Sequence, residues 1–413
     1  MTETALRVVA LADTDSYVKW AAALLGTLPE GSDPQLLIVE TAVAVSPAQQ
    51  RAALARSGLD SSRVERVAFA DVSRVLAELA PDAVLVAARG PVVRVLIRLV
   101  ADLEPRPVIV SGLPGISIPA TTAAIVNRMQ SDLFVLHSTR EVNAFDALAR
   151  RRDLVQRFAL ARLPFAARSS EISCGAGSGT DLVFASQAIV PRERAERMQV
   201  AQLLVMAALA DPDKRVVVKE RAAEGEHQTH AQRHSYPDLL AKLAPLPSNL
   251  VVSTESMSHA LDTAEGLVTV SSTAAIEAIA RGIPVIALDS FGVDDKLINP
   301  VFIGSGVLGP EENVIQRDFR LPPRDWLTRN YFHDADKDDW ISQTNELVTL
   351  RRAGALAAKP ARVRRGGRFR DVWERRLAMG RKDRSLAGAA AIAVGVPLRI
   401  VLRPYYRLRL RSA

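Results

Sequence analysis

The sequence lacks the residues that would cross-link it or hold a thiolate metal site. It has 413 residues and a single cysteine, Cys174, which excludes a disulfide within one chain and a cysteine-based zinc site. Aromatic residues make up only 5% of the chain. The first residues, "MTETALRVVALADTDS", carry no basic segment before their apolar run, which argues against a secretory signal. We therefore expect a protein that stays in a reducing cytoplasm.

The residues that are present indicate two globular domains. Hydrophobic residues make up 48% of the chain, and its length exceeds that of one typical core. Apolar runs such as "LRVVALA", "AVLVAA" and "PVIVSG" alternate with helical stretches, and a second series runs from "DLVFASQ" through "KRVVVKER" to "PVIAL". This rhythm predicts an α/β protein with two Rossmann-like domains, each built on a parallel sheet, that face each other across a cleft.

The predicted domain boundaries follow the composition. A Gly-rich polar stretch predicts a linker over 165–180, between a first domain at 1–164 and a second at 181–350. The stretch lacks the Gly-Lys-Ser/Thr ending of a phosphate loop and follows no clean strand. Residues 351–413 then form a basic amphipathic tail.

The tail accounts for much of the net charge of +7. Basic residues dominate from Lys359 to Ala413, and the last acidic residue is Asp383. The apolar stretch Leu386–Pro397 is too short for a comfortable membrane span. With the arginines and tyrosines after it, this stretch favours contact with the anionic inner face of the cell membrane. Docking on the protein's own core and a disordered basic end are the alternatives, and no nucleic-acid motif accompanies the basic patches.

The stretch "VSSTAAIEAIARGIPVIALDS", Val270–Ser290, predicts a strand end, a helix and a returning strand. Its hydroxyl residues, Ser271, Ser272 and Thr273, lie at the helix start, where unpaired backbone N–H groups favour an anion. Glu277 lies one helical turn further on the same side, where a carboxylate can accept hydrogen bonds from the vicinal hydroxyls of a ribose. A phosphate and a ribose at these two places would make a nucleotide site; an ordinary capped helix is the alternative.

A basic strand end lies in the same half of the chain. The strand in "VVVKERAAEGEHQTH" delivers Lys219 and Arg221 to one side of its carboxyl end, where they can clamp a diphosphate. The loop after this strand carries Glu226 and three histidines, His227, His230 and His234. Without a convincing helix, the histidine spacing does not favour a metal site, so we expect no bound metal. A loop that contacts a ligand through His230 and a solvated loop are the alternatives.

The segment "SSTAAIEAIARGIPVIAL" resembles the nucleotide-binding segment of GT-B glycosyltransferases. It looks closest to enzymes that build capsule, teichoic-acid and related cell-envelope polymers, in which a Ser/Thr-rich turn precedes x-x-x-Glu-Ala and Gly-x-Pro-Val/Ile. The chain is also similar to actinobacterial proteins described as glycosyltransferases, and the two-domain layout agrees over residues 1–340. The His-Pro pair that follows the basic strand in glycerophosphate-polymerase enzymes is missing here.

The resemblance implies a nucleotide-sugar donor in the second domain. It implies that Ser271, Ser272 and Thr273 hold the donor phosphate and that Glu277 holds the ribose. The departing diphosphate would then lie at Lys219 or Arg221, with His230 in a loop beside the donor.

The first domain would then supply the catalytic base. An inverting transferase needs a base within hydrogen-bond reach of the acceptor hydroxyl. Asp13 and Asp15 follow the first predicted strand, and His137 follows another. Each has a structural alternative, because an aspartate can cap the following helix and a histidine can be buried with its hydrogen bonds satisfied.

These observations lead to one functional hypothesis and two alternatives. The hypothesis is a GT-B-type transferase that moves a sugar from a nucleotide-sugar to a cell-envelope polysaccharide or a lipid-linked acceptor. It would work at the inner face of the membrane, without a metal or other cofactor and without a nucleic-acid partner. A non-hydrolysing sugar-nucleotide epimerase of the same layout is the first alternative. A non-catalytic, membrane-associated component of envelope assembly is the second.

Overall fold

The first domain contains a seven-stranded parallel sheet. The structure is a computed structural model that describes residues 5–55, 57–163, 179–220, 234–359, 367–395 and 397. The strands of the first sheet are β1 Arg7–Ala12, β2 Asp33–Glu40, β3 Val64–Ala68, β4 Ala83–Ala87, β5 Val108–Gly112, β6 Leu133–Leu136 and β7 Phe158–Leu160. They lie in the order β3-β2-β1-β4-β5-β6-β7, and neighbouring strands run parallel.

Helices cover both faces of this sheet because its central strands are apolar on both sides. The helices are α1 Asp15–Leu25, α2 Pro47–Leu54, α3 Val72–Leu79, α4 Gly90–Ala101, α5 Thr122–Arg128 and α6 Thr139–Arg151. On one face, Val8 and Ala10 of β1 pack with Trp20 of α1. On the other face, Val9 and Leu11 pack with residues of α3 and α4.

The second domain contains a six-stranded sheet of the same kind. Its strands are β8 Asp181–Ala185, β9 Val216–Lys219, β10 Leu250–Ser253, β11 Ala264–Thr269, β12 Val285–Leu288 and β13 Leu308–Gly309. They lie in the order β10-β9-β8-β11-β12-β13, again with parallel neighbours. Its helices are α7 Arg194–Ala210, α8 Tyr236–Leu240, α9 Met257–Asp262, α10 Ala274–Ala280, α11 Glu311–Ile315 and α12 Arg324–Arg329. The predicted pair of Rossmann-like domains is therefore confirmed.

Each sheet has one place where the order of its strands reverses direction. In the first sheet this place lies between β1 and β4, and in the second it lies between β8 and β11. The loops that leave two such strands turn to opposite faces, so a crevice opens at their carboxyl ends, and ligands of open α/β sheets bind there. The strand order thus indicates where a site can form in each domain.

The chain crosses back to the first domain after α12. Helix α13, Trp340–Arg352, packs its buried Trp340 and Val348 into the core that contains β1 and α1. Asp339 holds the crossing, because its Oδ1 accepts a hydrogen bond of 2.7 Å from the backbone N–H of Leu160 in β7. Helix α13 therefore packs on the first domain, although it falls within the range 181–350 predicted for the second. An apolar helix face does not show in the sequence which of two similar domains it covers.

The C-terminal region is partly packed on the first domain. Helix α14, Gly367–Met379, lies against α4, and Met379 is buried in the core on that face of the sheet. Glu374 Oε2 forms an ion pair of 2.7 Å with Arg94 Nη1 of α4. The predicted tail at 351–413 therefore begins as folded structure, which agrees with the alternative that it docks on the protein's own core.

Several predicted features lie outside the residues that the structure describes. They are Cys174 with most of the linker, Arg221, His230 and the end of the tail at 398–413. Over the described part of the chain, no helix combines the length and apolar character that a membrane crossing requires.

Candidate functional site at the domain junction

The turn that carries the predicted hydroxyls lies at the strand-order reversal of the second sheet. Gln187 follows β8, and its side chain reaches across to the end of β11. Its Nε2 donates to Ser271 Oγ at 3.1 Å, and its Oε1 accepts from the backbone N–H of Ser271 at 2.8 Å. The backbone N–H of Ser272 donates to Thr269 Oγ1 at 3.1 Å. Side chains of two neighbouring strand ends therefore hold this turn in place.

The three hydroxyl residues have different surroundings. Ser271 is buried in the contact with Gln187, whereas Ser272 and Thr273 are half-buried. Ser272 Oγ accepts from the backbone N–H of Ala274 at the start of α10, at 3.2 Å. Thr273 faces the first domain, because a Cβ added at Gly115 would lie 2.6 Å from Thr273 Oγ1. The turn therefore lies where the two domains meet.

Glu277 also lies at the domain junction. Its side chain is 11% exposed and has two cations nearby, Arg281 one turn later and Lys19 of α1 in the first domain. Each of the two nitrogen–oxygen distances is 3.5 Å. These are long contacts for ion pairs, and they leave oxygen lone pairs of the carboxylate available to another donor. The structure thus brings Glu277 and Thr273 to the same edge of the cleft.

The basic end of β9 is buried beside this turn. Lys219 is the last residue of β9, and its Nζ donates to the carbonyl oxygen of Glu220. Glu220 Oε2 accepts from Ser186 Oγ at 2.9 Å, next to Gln187 on the β8 loop. The ammonium of Lys219 is thus at the expected strand end, and it is turned toward the backbone in this structure.

Sequence reasoning missed Ser186 and Gln187. The signal was present, because these polar residues directly follow the buried strand "DLVFA". It could not be used without the strand order, which places β8 rather than another strand beside β11.

The strand-order reversal of the first sheet is occupied by an ion pair. Asp13 follows β1, and its Oδ2 lies 2.9 Å from Arg89 Nε at the start of α4. Its Oδ1 accepts from the backbone N–H of Arg89 at 3.2 Å. Burial raises the pKa of Asp13 to about 6 in spite of the adjacent guanidinium. Asp13 has no exposed surface, and in this structure it holds the start of α4. Its role as a catalytic base stays a prediction.

His137 is likewise removed from the cleft. Its ring is fully buried, and its Nδ1 lies 2.7 Å from the carbonyl oxygen of Ala161. Its Nε2 accepts from the indole N–H of Trp20 at 2.7 Å and lies 2.9 Å from the carbonyl oxygen of Leu113. Burial lowers the pKa of His137 to about 4, so the ring is neutral. The structural alternative, a buried histidine whose hydrogen bonds are satisfied, thus describes His137 in this structure, and its role as a base stays a prediction.

Asp15, the third predicted base, is half-buried in the first turn of α1, four residues before Lys19. Residues four apart lie on the same side of a helix, and Lys19 contacts Glu277 of the second domain. Asp15 therefore lies on the side of α1 that carries Lys19.

A buried carboxylate fixes the loop that covers Thr273. Glu141 Oε1 accepts from the backbone N–H of Ser117 at 2.7 Å and from Tyr331 Oη–H at 2.6 Å, and Oε2 accepts from the backbone N–H of His137 at 2.9 Å. Tyr331 follows α12 in the second domain, whereas the other partners belong to the first. Burial raises the pKa of Glu141 to about 7. Glu141 thus joins the domains and anchors the loop that also contains Gly115.

No cluster of three or more His, Cys, Asp or Glu side chains suited to a metal ion occurs among the described residues. The residues that meet at the junction are hydroxyls, amides, carboxylates and basic groups. Such a set can hold a phosphate and a polyhydroxy ligand through hydrogen bonds.

Two solved structures with this architecture contain UDP or UDP-GlcNAc. Staphylococcus aureus MnaA, determined with UDP, has a TM-score of 0.53 and 11% identity, covering 86% of this chain and 99% of its own. The UDP-GlcNAc 2-epimerase of Methanocaldococcus jannaschii, in complex with UDP-GlcNAc and UDP, has a TM-score of 0.52 and 12% identity, covering 84% and 99%. At these identities the likeness shows the fold alone. The class of protein is thus a two-domain α/β protein of the GT-B type.

The amino-acid sequence identifies the family of the protein. Residues 8–347 match the family described as "Putative glycosyltransferase (DUF6716)". The match spans more than half of the chain, and the protein belongs to this family. No curated protein sequence matches it.

The buried position of Glu141 predicts a pH signature in Glu141→Gln. The folded pKa of about 7 lies above the ordinary value of 4.5, so between these pH values the folded chain holds a proton that the unfolded chain has released. The contribution of Glu141 to stability therefore falls as the pH rises through this window, by on the order of 3 kcal/mol. Glutamine does not titrate, so Glu141→Gln should gain stability relative to wild type between about pH 5 and about pH 8, measured by urea unfolding.

The difference in the free energy of unfolding between wild type and Glu141→Gln reports on Glu141, because His137 titrates in both proteins and its contribution cancels. Glu312→Gln, at an exposed position of α11, is the matched control and should show no such trend. A wild-type minus Glu141→Gln difference that stays flat over this pH range would contradict the prediction.

Asp13→Asn should gain stability relative to wild type as the pH rises from about 4 to about 6. Burial raises the pKa of Asp13 to about 6 although its carboxylate faces Arg89, so in this window the folded chain holds a proton that the unfolded chain has released. Asparagine does not titrate, so the difference between the two proteins in urea unfolding should change by on the order of 3 kcal/mol. Glu312→Gln, at the exposed position of α11, is again the control. An Asp13→Asn protein that follows wild type over this pH range would rule the prediction out.

Proposed function

We propose that this protein is a glycosyltransferase that moves a sugar from a nucleotide-sugar donor to a cell-envelope polysaccharide or a lipid-linked acceptor. One observation carries the proposal. Thr273 and Glu277 lie against the first domain at the carboxyl edge of the second sheet. Membership in a glycosyltransferase family supports it. The capsule and teichoic-acid character of the acceptor rests on the sequence resemblance.

The donor nucleotide would lie along the start of α10. Its phosphates would accept hydrogen bonds from the half-buried hydroxyls of Ser272 and Thr273, while Ser271 keeps the turn joined to Gln187. The ribose hydroxyls would donate to Glu277, which lies one turn further. This arrangement needs no metal ion if basic side chains neutralise the diphosphate.

Two lysines lie on opposite sides of this donor position. Lys219 ends β9 beside the turn, and Lys19 reaches Glu277 from the first domain. A diphosphate that enters between the domains would draw either ammonium away from its present oxygen partner, because phosphate is the stronger acceptor. Arg221 and His230 remain candidates for the same role in the loop outside the described residues.

The acceptor would bind on the side of the first domain, with Asp15 as the general base. Asp15 is half-buried in the turn of α1 that precedes Lys19, so an acceptor hydroxyl and the donor sugar can approach it from the cleft. We further propose that the protein works in the cytoplasm at the inner face of the cell membrane, which its basic C-terminal region would contact.

A thermal-shift panel tests the donor site. UDP, GDP, CDP, CMP and their sugars are compared on wild type, Glu277→Gln and the control Glu312→Gln. We expect one nucleotide to raise the melting temperature of wild type and control alike. Glu277→Gln should bind it about tenfold more weakly, a loss of about 1.4 kcal/mol, because a neutral amide accepts ribose hydroxyls poorly. If no nucleotide shifts wild type, the proposed function is wrong.

Asp15→Asn tests the chemistry apart from binding. Release of the nucleotide from its sugar is measured in the presence of a bacterial lipid extract as the acceptor source. We expect a decrease of about 100-fold or more, with the nucleotide-induced thermal shift retained, because a positioned base contributes this much to proton transfer. Glu312→Gln, at the exposed position of α11, is the control and should keep its turnover. Turnover of the sugar without any acceptor would favour the epimerase alternative, and donor binding without turnover would favour the non-catalytic one.

A further inference from the structure

Helix α14 and the helical stretch at 386–395 form a hairpin on the surface of the first domain. The second helix packs on α14 through small residues. Gly388, Ala391 and Gly395 are buried, and their spacings of three and four put them on one side of the helix. A side chain at Gly395 would overlap the ring of Trp373. The two helices are therefore in close contact, and the hairpin is a defined surface element.

The inner side of the hairpin is tied to the first domain by its acidic residues. Asp371 Oδ2 lies 2.6 Å from Arg98 Nη1, and Glu374 Oε2 lies 2.7 Å from Arg94 Nη1. The remaining acid, Asp383, lies 3.1 Å from Arg375 Nε within the hairpin. All three acidic side chains from Gly367 to Gly395 are thus paired.

The outer side of the hairpin is apolar. On the second helix, Leu386 is 90% exposed and Val394 is 56% exposed, and no charged residue occurs in 386–395. On α14, Phe369 and Leu377 are 46% and 50% exposed, and they lie four residues before and after Trp373 on the same side. We call Phe369, Leu377, Leu386 and Val394 the outer face.

Positive charge borders the outer face. Arg381 and Arg384 are exposed in the connection between the two helices. Beyond the described residues, the segment 398–413 contributes five arginines, two tyrosines and no acidic residue to the chain. An apolar face with a basic border is complementary to an anionic, partly apolar surface.

We propose that the outer face of the hairpin docks on an anionic lipid surface, with Leu386 and Val394 in the acyl boundary and Arg381 and Arg384 among the phosphates. This proposal deepens the membrane part of the proposed function and rests on it, but it requires neither nucleotide nor acceptor. Because α14 is packed on α4, docking would hold the first domain, where Asp15 lies, close to the lipid. A lipid-linked acceptor would thus be held near the first domain.

Vesicle flotation of the full chain tests the proposal. The probes are phosphatidylcholine vesicles and vesicles that also contain about one third phosphatidylglycerol. Wild type should bind the anionic vesicles at least about tenfold better than the neutral ones, and the double variant Leu386→Asp/Val394→Asp should lose about tenfold of this binding. Val155→Asp, at a site that is 92% exposed elsewhere on the first domain, is the matched control and should bind like wild type. Arg381→Glu/Arg384→Glu should weaken binding and reduce its dependence on salt.

Three results would overturn the proposal. The first is a double variant that floats like wild type. The second is a wild type that binds the two kinds of vesicle equally. It also includes a wild type that a short DNA duplex displaces from the vesicles, when the same duplex binds the double variant equally well. The third is a concentration-dependent dimer that the double variant abolishes, since a second copy would then cover the outer face. The nucleotide-induced thermal shift, measured on each variant, separates these results from a failure of the donor site.

Discussion

The two domains are joined through a carboxylate that has no access to water. Glu141 accepts hydrogen bonds from Ser117, His137 and Tyr331, which belong to three separate segments. A buried carboxyl group without such donors would cost several kcal/mol, so the segments must remain in register for the fold to be stable. The neighbouring Arg140 extends this junction through the carbonyl oxygen of Val301 at 2.8 Å.

The candidate donor site depends on that junction. The loop anchored at Ser117 carries Gly115, which has no side chain and therefore allows close contact with Thr273. The same relative position of the domains lets Lys19 reach Glu277. The cleft is thus narrow at the hydroxyl turn, and a ligand there would contact both domains, as substrates at such crevices commonly do.

Much of the fold was predictable because it follows from local sequence patterns. Buried parallel strands are continuous apolar runs, and alternation with helices restricts the topology to right-handed units. The contacts at the domain junction were harder to predict from the sequence. Asp13 and His137 have the residue types of a base, but in the folded chain both are buried, Asp13 against Arg89 and His137 against Trp20. Those partners are distant in the sequence, and only the folded chain brings them into contact.

The sequence by itself determined the two Rossmann-like domains, the hydroxyl turn with Glu277 one helical turn away, and the basic, acid-poor C-terminal region. Each of these follows from spacing or composition along one segment. The tertiary structure alone decided that Gln187 supports the turn, that α13 packs on the first domain, and that Asp13 pairs with Arg89. The physical reason is that burial and hydrogen bonding between distant segments depend on strand order and domain orientation, which no local pattern encodes.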